Sequence, residues 1–235
     1  MYSFKSTVRF SQCDTEGKLS CLALIDYLQD CAVFHSHAVG GGPEVLRQRG
    51  LAWFILTWQI HIHKLPKLYD EIIITTWPHD MKSLMAPRNF TITSPSGHIY
   101  VEADSLWCMF DFESERPIRL PDDVAASYVP DTADALSLPR TKRNIAIQGE
   151  GKAGNTITVE AHHLDSNMHV NNAQYVDMAK DTAQISSFST IWVQYKKPAG
   201  LKDEVVPVIY CEDDKTTVSL NDEQGQAYAI VQMIA

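Results

Sequence analysis

Three side chains in the last third of the sequence alternate along the chain. They are Asp165, Asn167 and His169, within His163-Leu-Asp-Ser-Asn-Met-His-Val-Asn-Asn172. An imidazole can take a proton from water near neutral pH. A carboxylate can orient it, and a carboxamide N–H can donate to a carbonyl oxygen. In an extended loop, residues two apart point to the same side, so the spacing predicts that the three converge. Val170, Asn171 and Asn172 read as the start of a helix, with asparagine as its N-cap. Free N–H groups in such a turn can form an oxyanion site, and the positive end of the helix favours a neutral imidazole. The same spacing also serves a set of Asx turns followed by a cap.

The elements that must position these residues show when the chain is compared with itself. Aligning Asp14 with Asp165 brings Leu19 onto Val170, Ile25 onto Val176, Asp26 onto Asp177 and Asp30 onto Asp181. Further on, Asp70-Glu71 meets Asp203-Glu204 and Gly97 meets Gly225, so the offset shrinks from 151 to 133 to 128. Loop insertions in the first copy would do this. Each copy reads as a short strand, a loop, one long helix and three or four strands. Periodicity predicts helices over about residues 20–39 and 171–187. Strands are expected over 54–63, 71–77, 88–94, 99–110, 190–196, 205–211, 216–220 and 227–234. Single helices followed by hairpin-connected strands mean α+β with antiparallel sheet. The proline-rich stretch 113–155 reads as a connecting segment, with domains over 1–135 and 156–235 and a linker over 136–155. The copies differ where chemistry would sit, because Asn167 and His169 face Glu16 and Lys18. One site per chain follows, with the other half as structural partner.

Composition bounds the rest. The 235 residues carry 29 acidic and 20 basic side chains, a net charge of −9, which argues against a nucleic-acid binder. No apolar run reaches the ~18–20 residues of a membrane helix. The first ten residues lack the apolar core of a secretory signal. Five cysteines without paired spacing fit a reducing compartment and read as buried small hydrophobes. His61 with His63, and His162 with His163, share strand or loop positions, but a third metal ligand at a suggestive spacing is missing. The first copy is longer, with Asp30 and Asp70 40 positions apart against 22 for Asp181 and Asp203. The extra segment, Gly40 to Gly50, reads as a glycine hinge followed by a short helix, a candidate flap.

The stretch Leu164-Asp-Ser-Asn-Met-His-Val-Asn-Asn-Ala-Gln-Tyr175 resembles the catalytic signature of the acyl-acyl carrier protein (acyl-ACP) thioesterases. Leu24-Ile-Asp-Tyr-Leu-Gln-Asp30, Phe54–His63 and Leu106-Trp-Cys-Met-Phe110 are also similar to that family. The resemblance covers nearly the whole chain. It implies two tandem hotdog domains, each a long helix wrapped by an antiparallel sheet. The family's catalytic aspartate, asparagine and histidine map onto Asp165, Asn167 and His169. Plant members carry a transit peptide, and the strand-like start here implies a bacterial-type, cytoplasmic member. One departure stands out. The family places a glutamate, often followed by cysteine, after a Tyr-basic-basic run, whereas Tyr195-Lys-Lys197 is followed by Pro198-Ala199. A cysteine nucleophile is then not expected there, and the glutamate's role falls to Asp165 or to Gln194.

The resemblance implies hydrolysis of fatty acyl-ACP to free fatty acid, ending fatty acid synthesis, with no metal or cofactor. His169 would activate water, oriented by Asp165. Asn167 would position the thioester or the water, and N–H groups of residues 170–172 would hold the oxyanion. Leu24, Leu28 and Trp53 are expected to line the acyl pocket in the first domain. Lys196 and Lys197 are expected to dock the acidic carrier, with Arg140–Arg143 as the other basic cluster. The expected partner is acyl carrier protein, with no nucleic acid and no membrane span; a homodimer is compatible. The rival readings are an acyl-CoA thioesterase, a hotdog-type enoyl hydratase and a non-catalytic acyl-binding protein.

Overall fold

The computed structural model describes residues 1–79, 81, 84–128, 136, 141 and 143–235. The chain forms two compact units, residues 1–141 and 142–235.

Unit 1 contains β1 (Tyr2–Thr7), α1 (Cys21–Ala38), α2 (Pro43–Gln48), β2 (Leu51–Ile62), β3 (Glu71–Pro78), β4 (Met85–Thr93), β5 (Ile99–Asp111), β6 (Arg116–Ile118) and α3 (Asp122–Ser127). The Ser20 hydroxyl caps α1 by accepting the Ala23 N–H at 3.2 Å. Leu24, Ile25, Leu28, Cys31, Ala32 and His35 are buried along its inner stripe, as the 3.6-residue period requires. Gly40, at φ +81°, follows the end of the helix. The sheet runs β1-β3-β4-β5-β2, antiparallel throughout, and α1 packs on β1 and β3. The short helix expected after the glycines is α2, anchored on β2 by the buried Leu46.

Unit 2 contains β7 (Lys152–Ala153), β8 (Ile157–Thr158), α4 (Asn172–Ala183), β9 (Thr190–Tyr195), β10 (Glu204–Cys211), β11 (Lys215–Asn221) and β12 (Ala227–Ile234). Its sheet runs β9-β12-β11-β10-β7, with β8 also on β10, and α4 packs on β10, β11 and β12.

Two expectations need correction. The connecting stretch is not featureless, since β6 pairs with β5 and α3 buries Val124. Leu120 and Val124, both buried, tie it down. Helix α4 also stops early, because Gln184 turns left-handed at φ +53° and the Ile185 N–H closes back on Lys180 O.

The internal repeat holds at the level of single hydrogen bonds. The Val8 N–H donates to Asp70 O at 3.0 Å, and the Val159 N–H to Asp203 O at 2.9 Å. Tyr69 and Lys202 both take positive φ, 74° and 69°. Asp70 Oδ2 accepts the Lys67 N–H and Asp203 Oδ2 the Gly200 N–H, both at 2.8 Å. The Gly97 N–H closes a hairpin on Ser94 O as the Gly225 N–H does on Asp222 O, both at 3.0 Å.

Candidate active site

The loop before α4 is built on one carboxylate. A 3-10 turn over Ala161–His163 leads into a bridge between Leu164 and Val170. Between them the Asp165 N–H donates to His169 O at 2.8 Å, and the Met168 N–H to Asp165 O at 3.1 Å. Met168 takes φ +63°, a conformation that costs a side-chain-bearing residue about 1–2 kcal/mol. Asp165 Oδ1 accepts the backbone N–H of Asn167 at 2.8 Å and of His169 at 3.4 Å. Its Oδ2 accepts the Asn167 carboxamide N–H at 3.3 Å. The expected extended loop is therefore a tight turn. Asp165, Asn167 and His169 are brought together by the folding of the backbone around a carboxylate, not by strand alternation. Asp165 is half-buried, and Asn167 and His169 are exposed, so the imidazole and carboxamide face solvent.

The turn also spends donors that the sequence had assigned to an oxyanion. The Val170 N–H donates to Ala199 O at 2.9 Å and the Asn171 N–H to His163 O at 2.8 Å. Asn171 is the N-cap, its Oδ1 accepting the Ala173 N–H at 2.9 Å, and Asn172 opens the helix. The backbone amides of Val170 and Asn171 thus anchor the turn to its neighbours. The Asn167 carboxamide, which donates to Asp165 Oδ2, lies on the exposed side of the turn.

His163 serves the fold. Its Nδ1 accepts the Glu160 N–H at 3.0 Å, and its ring lies 4.0 Å from that of His162. Burial pulls its pKa below the ordinary histidine value. Gln12 does the same work in unit 1, with Oε1 accepting the Arg9 N–H at 3.1 Å. No group of three or more metal-binding side chains forms among the described residues, and His63 pairs instead with Glu102 at 2.8 Å.

The unit 1 twin of the turn is complete. The Asp14 N–H donates to Lys18 O at 2.8 Å, and Asp14 Oδ1 accepts the N–H groups of Glu16 at 2.9 Å and Lys18 at 3.0 Å. Gly17 takes φ +72° where Met168 takes +63°. The backbone is repeated, and the imidazole and carboxamide are replaced by an ion pair between Lys18 and Glu16.

Where the family glutamate was expected, unit 2 has a different fastening. The Ala199 N–H donates to the Tyr175 hydroxyl at 2.8 Å. This pins the segment after β9 to the inner face of α4, and burial pushes the Tyr175 phenol up. Gln194 cannot take the glutamate's place, because its Oε1 accepts the Ile145 N–H at 3.1 Å and its Nε2 donates to Asn144 at 2.9 Å. Tyr175 is buried on α4. Its hydrogen-bonding role depends on a contact 24 positions away, which periodicity does not encode.

With this geometry in view, the comparisons with known proteins are decisive for the family. The profile of the acyl-ACP thioesterase N-terminal domain matches residues 1–128, and that of the acyl-ACP thioesterase C-terminal domain matches residues 148–233. The chain belongs to the acyl-ACP thioesterase family. An acyl-[acyl-carrier-protein] hydrolase of Cuphea viscosissima (FATB3, chloroplastic) is 24% identical over 194 residues, covering 78% of this chain and 47% of that protein. The chloroplastic oleoyl-acyl carrier protein thioesterase 1 of Arabidopsis thaliana is 24% identical over 246 residues, covering 96% of this chain and 67% of that protein. The chain spans about half the length of most of the curated relatives it matches. Among solved structures, an acyl-ACP thioesterase from Bacteroides thetaiotaomicron superposes with a TM-score of 0.87 at 20% identity, over 99% of this chain and 96% of that one. The 12:0-ACP thioesterase from Umbellularia californica superposes with a TM-score of 0.80 at 17% identity, again over 99% and 96%. These structures share the fold, hotdog-type with a large antiparallel sheet and few helices.

The other family-implied positions fall as follows. Leu24 and Leu28 are fully buried on α1, and Trp53 on β2 is partly exposed. Lys196 is exposed, but Lys197 is held in an ion pair with Asp222 and lies 4.8 Å from the centre of the Tyr228 ring. Lys197 is thus already partnered within unit 2. Of the second basic cluster, Arg140 and Lys142 lie outside the described residues. Cys211 is exposed, unlike the buried Cys21, Cys31 and Cys108. No helix among the described residues is long and apolar enough to cross a membrane.

Proposed function

We propose that this chain hydrolyses the thioester of fatty acyl-ACP, releasing free fatty acid, with a single site on the turn before α4. Each unit is read as one hotdog domain, the two in tandem, with the acyl chain received by unit 1 and the chemistry carried by unit 2. The observation that carries the assignment is the asymmetry of two turns that share the same backbone hydrogen bonds. Asp14 and Asp165 hold the same backbone, yet only the second copy presents an imidazole and a carboxamide.

In this reading His169 takes a proton from water as the water oxygen attacks the thioester carbonyl carbon. The carbonyl oxygen gains the negative charge and accepts the Asn167 carboxamide N–H. Collapse of the tetrahedral species breaks the C–S bond, and the imidazolium returns its proton to the leaving thiolate. Asp165 is a positioning residue that sets the backbone of both partners.

The test is release of free acid from a chain-length series of acyl-ACPs by the purified chain, with acyl-CoA and enoyl-CoA in parallel. Release from acyl-ACP that is lost in His169→Ala supports the reading. Faster turnover of acyl-CoA makes CoA the carrier, hydration of enoyl-CoA makes the protein a lyase, and binding without turnover makes it an acyl carrier.

A further inference from the structure

On the α1 side of the unit 1 sheet, a guanidinium is buried without a carboxylate partner among the described residues. Arg88 on β4 is 6% exposed. Its Nη1 bonds His35 Nδ1 at 2.9 Å and Thr76 Oγ1 at 3.1 Å. Its Cζ lies 5.4 Å from the centre of the Tyr128 ring. None of its partners among the described residues is acidic. His35 can accept that bond only as a neutral ring, and burial beside Arg88 lowers its pKa to about 3, so the histidine does not offset the charge.

The groups around Arg88 add donors. Tyr128 is 1% exposed, and its hydroxyl is buried without a hydrogen-bond partner among the described residues. Its ring meets His35 edge-on at 5.3 Å and Trp53 edge-on at 6.1 Å. The Trp53 Nε1–H is likewise buried and unpartnered. Gly41 closes one side, where a Cβ would come within 3.9 Å of the Tyr128 hydroxyl. One positive charge and two spare donors therefore gather with no acidic acceptor among the described residues. A buried charge is costly without a hydrogen-bonded counter-charge, and a buried donor without an acceptor. A carboxylate meets both needs, being negative and acceptor-only when ionised.

We propose that Arg88, Tyr128 and Trp53 form a carboxylate-binding subsite in unit 1 that takes the head group of a free fatty acid. The subsite is built from unit 1 residues alone and binds an anion whatever reaction the Asp165 turn performs.

The test is binding of dodecanoate, dodecanol and butyrate to the full chain, followed by calorimetry and tryptophan fluorescence. Dodecanoate is expected to bind about tenfold or more tightly than dodecanol, the scale of a charge-assisted bidentate contact. Arg88→Met should abolish that preference. Tyr128→Phe should weaken dodecanoate severalfold and leave dodecanol unchanged. His169→Ala should bind dodecanoate as the parent does, so loss of hydrolysis and loss of this subsite read out separately. Butyrate binding with the same dependence on Arg88 and Tyr128 supports the subsite but makes its ligand a small carboxylate. Equal binding of acid and alcohol by the parent chain overturns the proposal, as does an unchanged preference in Arg88→Met. If Arg88→Met does not fold, the acid–alcohol comparison in the parent and Tyr128→Phe decide.

Discussion

Asp165 holds His169 through the backbone: the His169 N–H donates to Asp165 Oδ1 at 3.4 Å. The carboxylate therefore shapes the turn that presents the imidazole, and the two residues should respond differently to substitution. His169→Ala removes the base and should lower turnover by at least ~10²-fold while leaving thermal stability near that of the parent. Asp165→Ala should cost both activity and stability. Asp165→Asn keeps an oxygen that accepts both amides and should retain much of each. Lys18→Ala, at the twin position, should leave turnover intact. Steady-state kinetics with thermal melts on the four variants would check this, and a fully active, folded His169→Ala would refute the assignment.

Met168 stands in left-handed backbone with its side chain 63% exposed, so it has strain and little packing to lose. Met168→Gly should be neutral or stabilising by up to about 1 kcal/mol. Gly17→Ala at the twin position should destabilise by about 1 kcal/mol, although an added Cβ there meets nothing within 4 Å. Urea unfolding of both variants separates conformational strain from steric contact.

His35 makes stability depend on pH. Its folded pKa lies near 3 against an ordinary 6.5, so the unfolded chain binds the proton first. The stabilisation is fully present above pH 6.5 and is lost as pH falls from there toward 3. One proton corresponds to a slope of about 1.4 kcal/mol per pH unit. His35→Gln, whose carboxamide oxygen can accept from Arg88, should flatten the profile between pH 4 and 6 by up to one proton. An unchanged slope would mean that His35 titrates alike in both states.

Carrier docking, if it uses this face of unit 2, should depend on Lys196. Lys196→Glu is expected to raise KM for acyl-ACP severalfold and to weaken its salt dependence, while kcat and turnover of a short acyl-pantetheine stay level. Lys197→Glu would set two carboxylates against each other at Asp222 and should instead lower thermal stability. Equal damage to both substrates in Lys196→Glu would assign the lysine to the site and not to the carrier.

Leu24 and Leu28 are fully buried, so truncation to alanine should cost about 2–5 kcal/mol. Chain-length preference is better probed with Leu→Met, which conserves volume. A shift in preference with little change in melting temperature would place the acyl chain against α1.

The sequence showed the elements well because their signals are local. The α1 stripe, its Ser20 cap and the glycines beyond it are all written within the 23 positions from Ser20 to Gly42. Strand runs such as Ile72–Ile74 are bounded by their own turns. The repeat was legible because paired aspartates, glycines and prolines sit where backbone geometry demands them. What was hidden depends on contacts between distant positions. That the Val170 and Asn171 amides are spent follows from carbonyls at Ala199 and His163. That Lys197 is taken follows from Asp222. The burial of Arg88 follows from His35 on α1 and from Tyr128, 53 and 40 positions away in the chain.

Because each turn is tied by main-chain amides to a single carboxylate, the side chains two and four places on contribute little to holding it. Reactivity at those places is decoupled from architecture. A chain built this way can gain, lose or exchange its reagents in one half without rethreading the other. On the proposed reading the unit 1 turn is therefore a blank of the same mould, ready-shaped for an imidazole it does not carry.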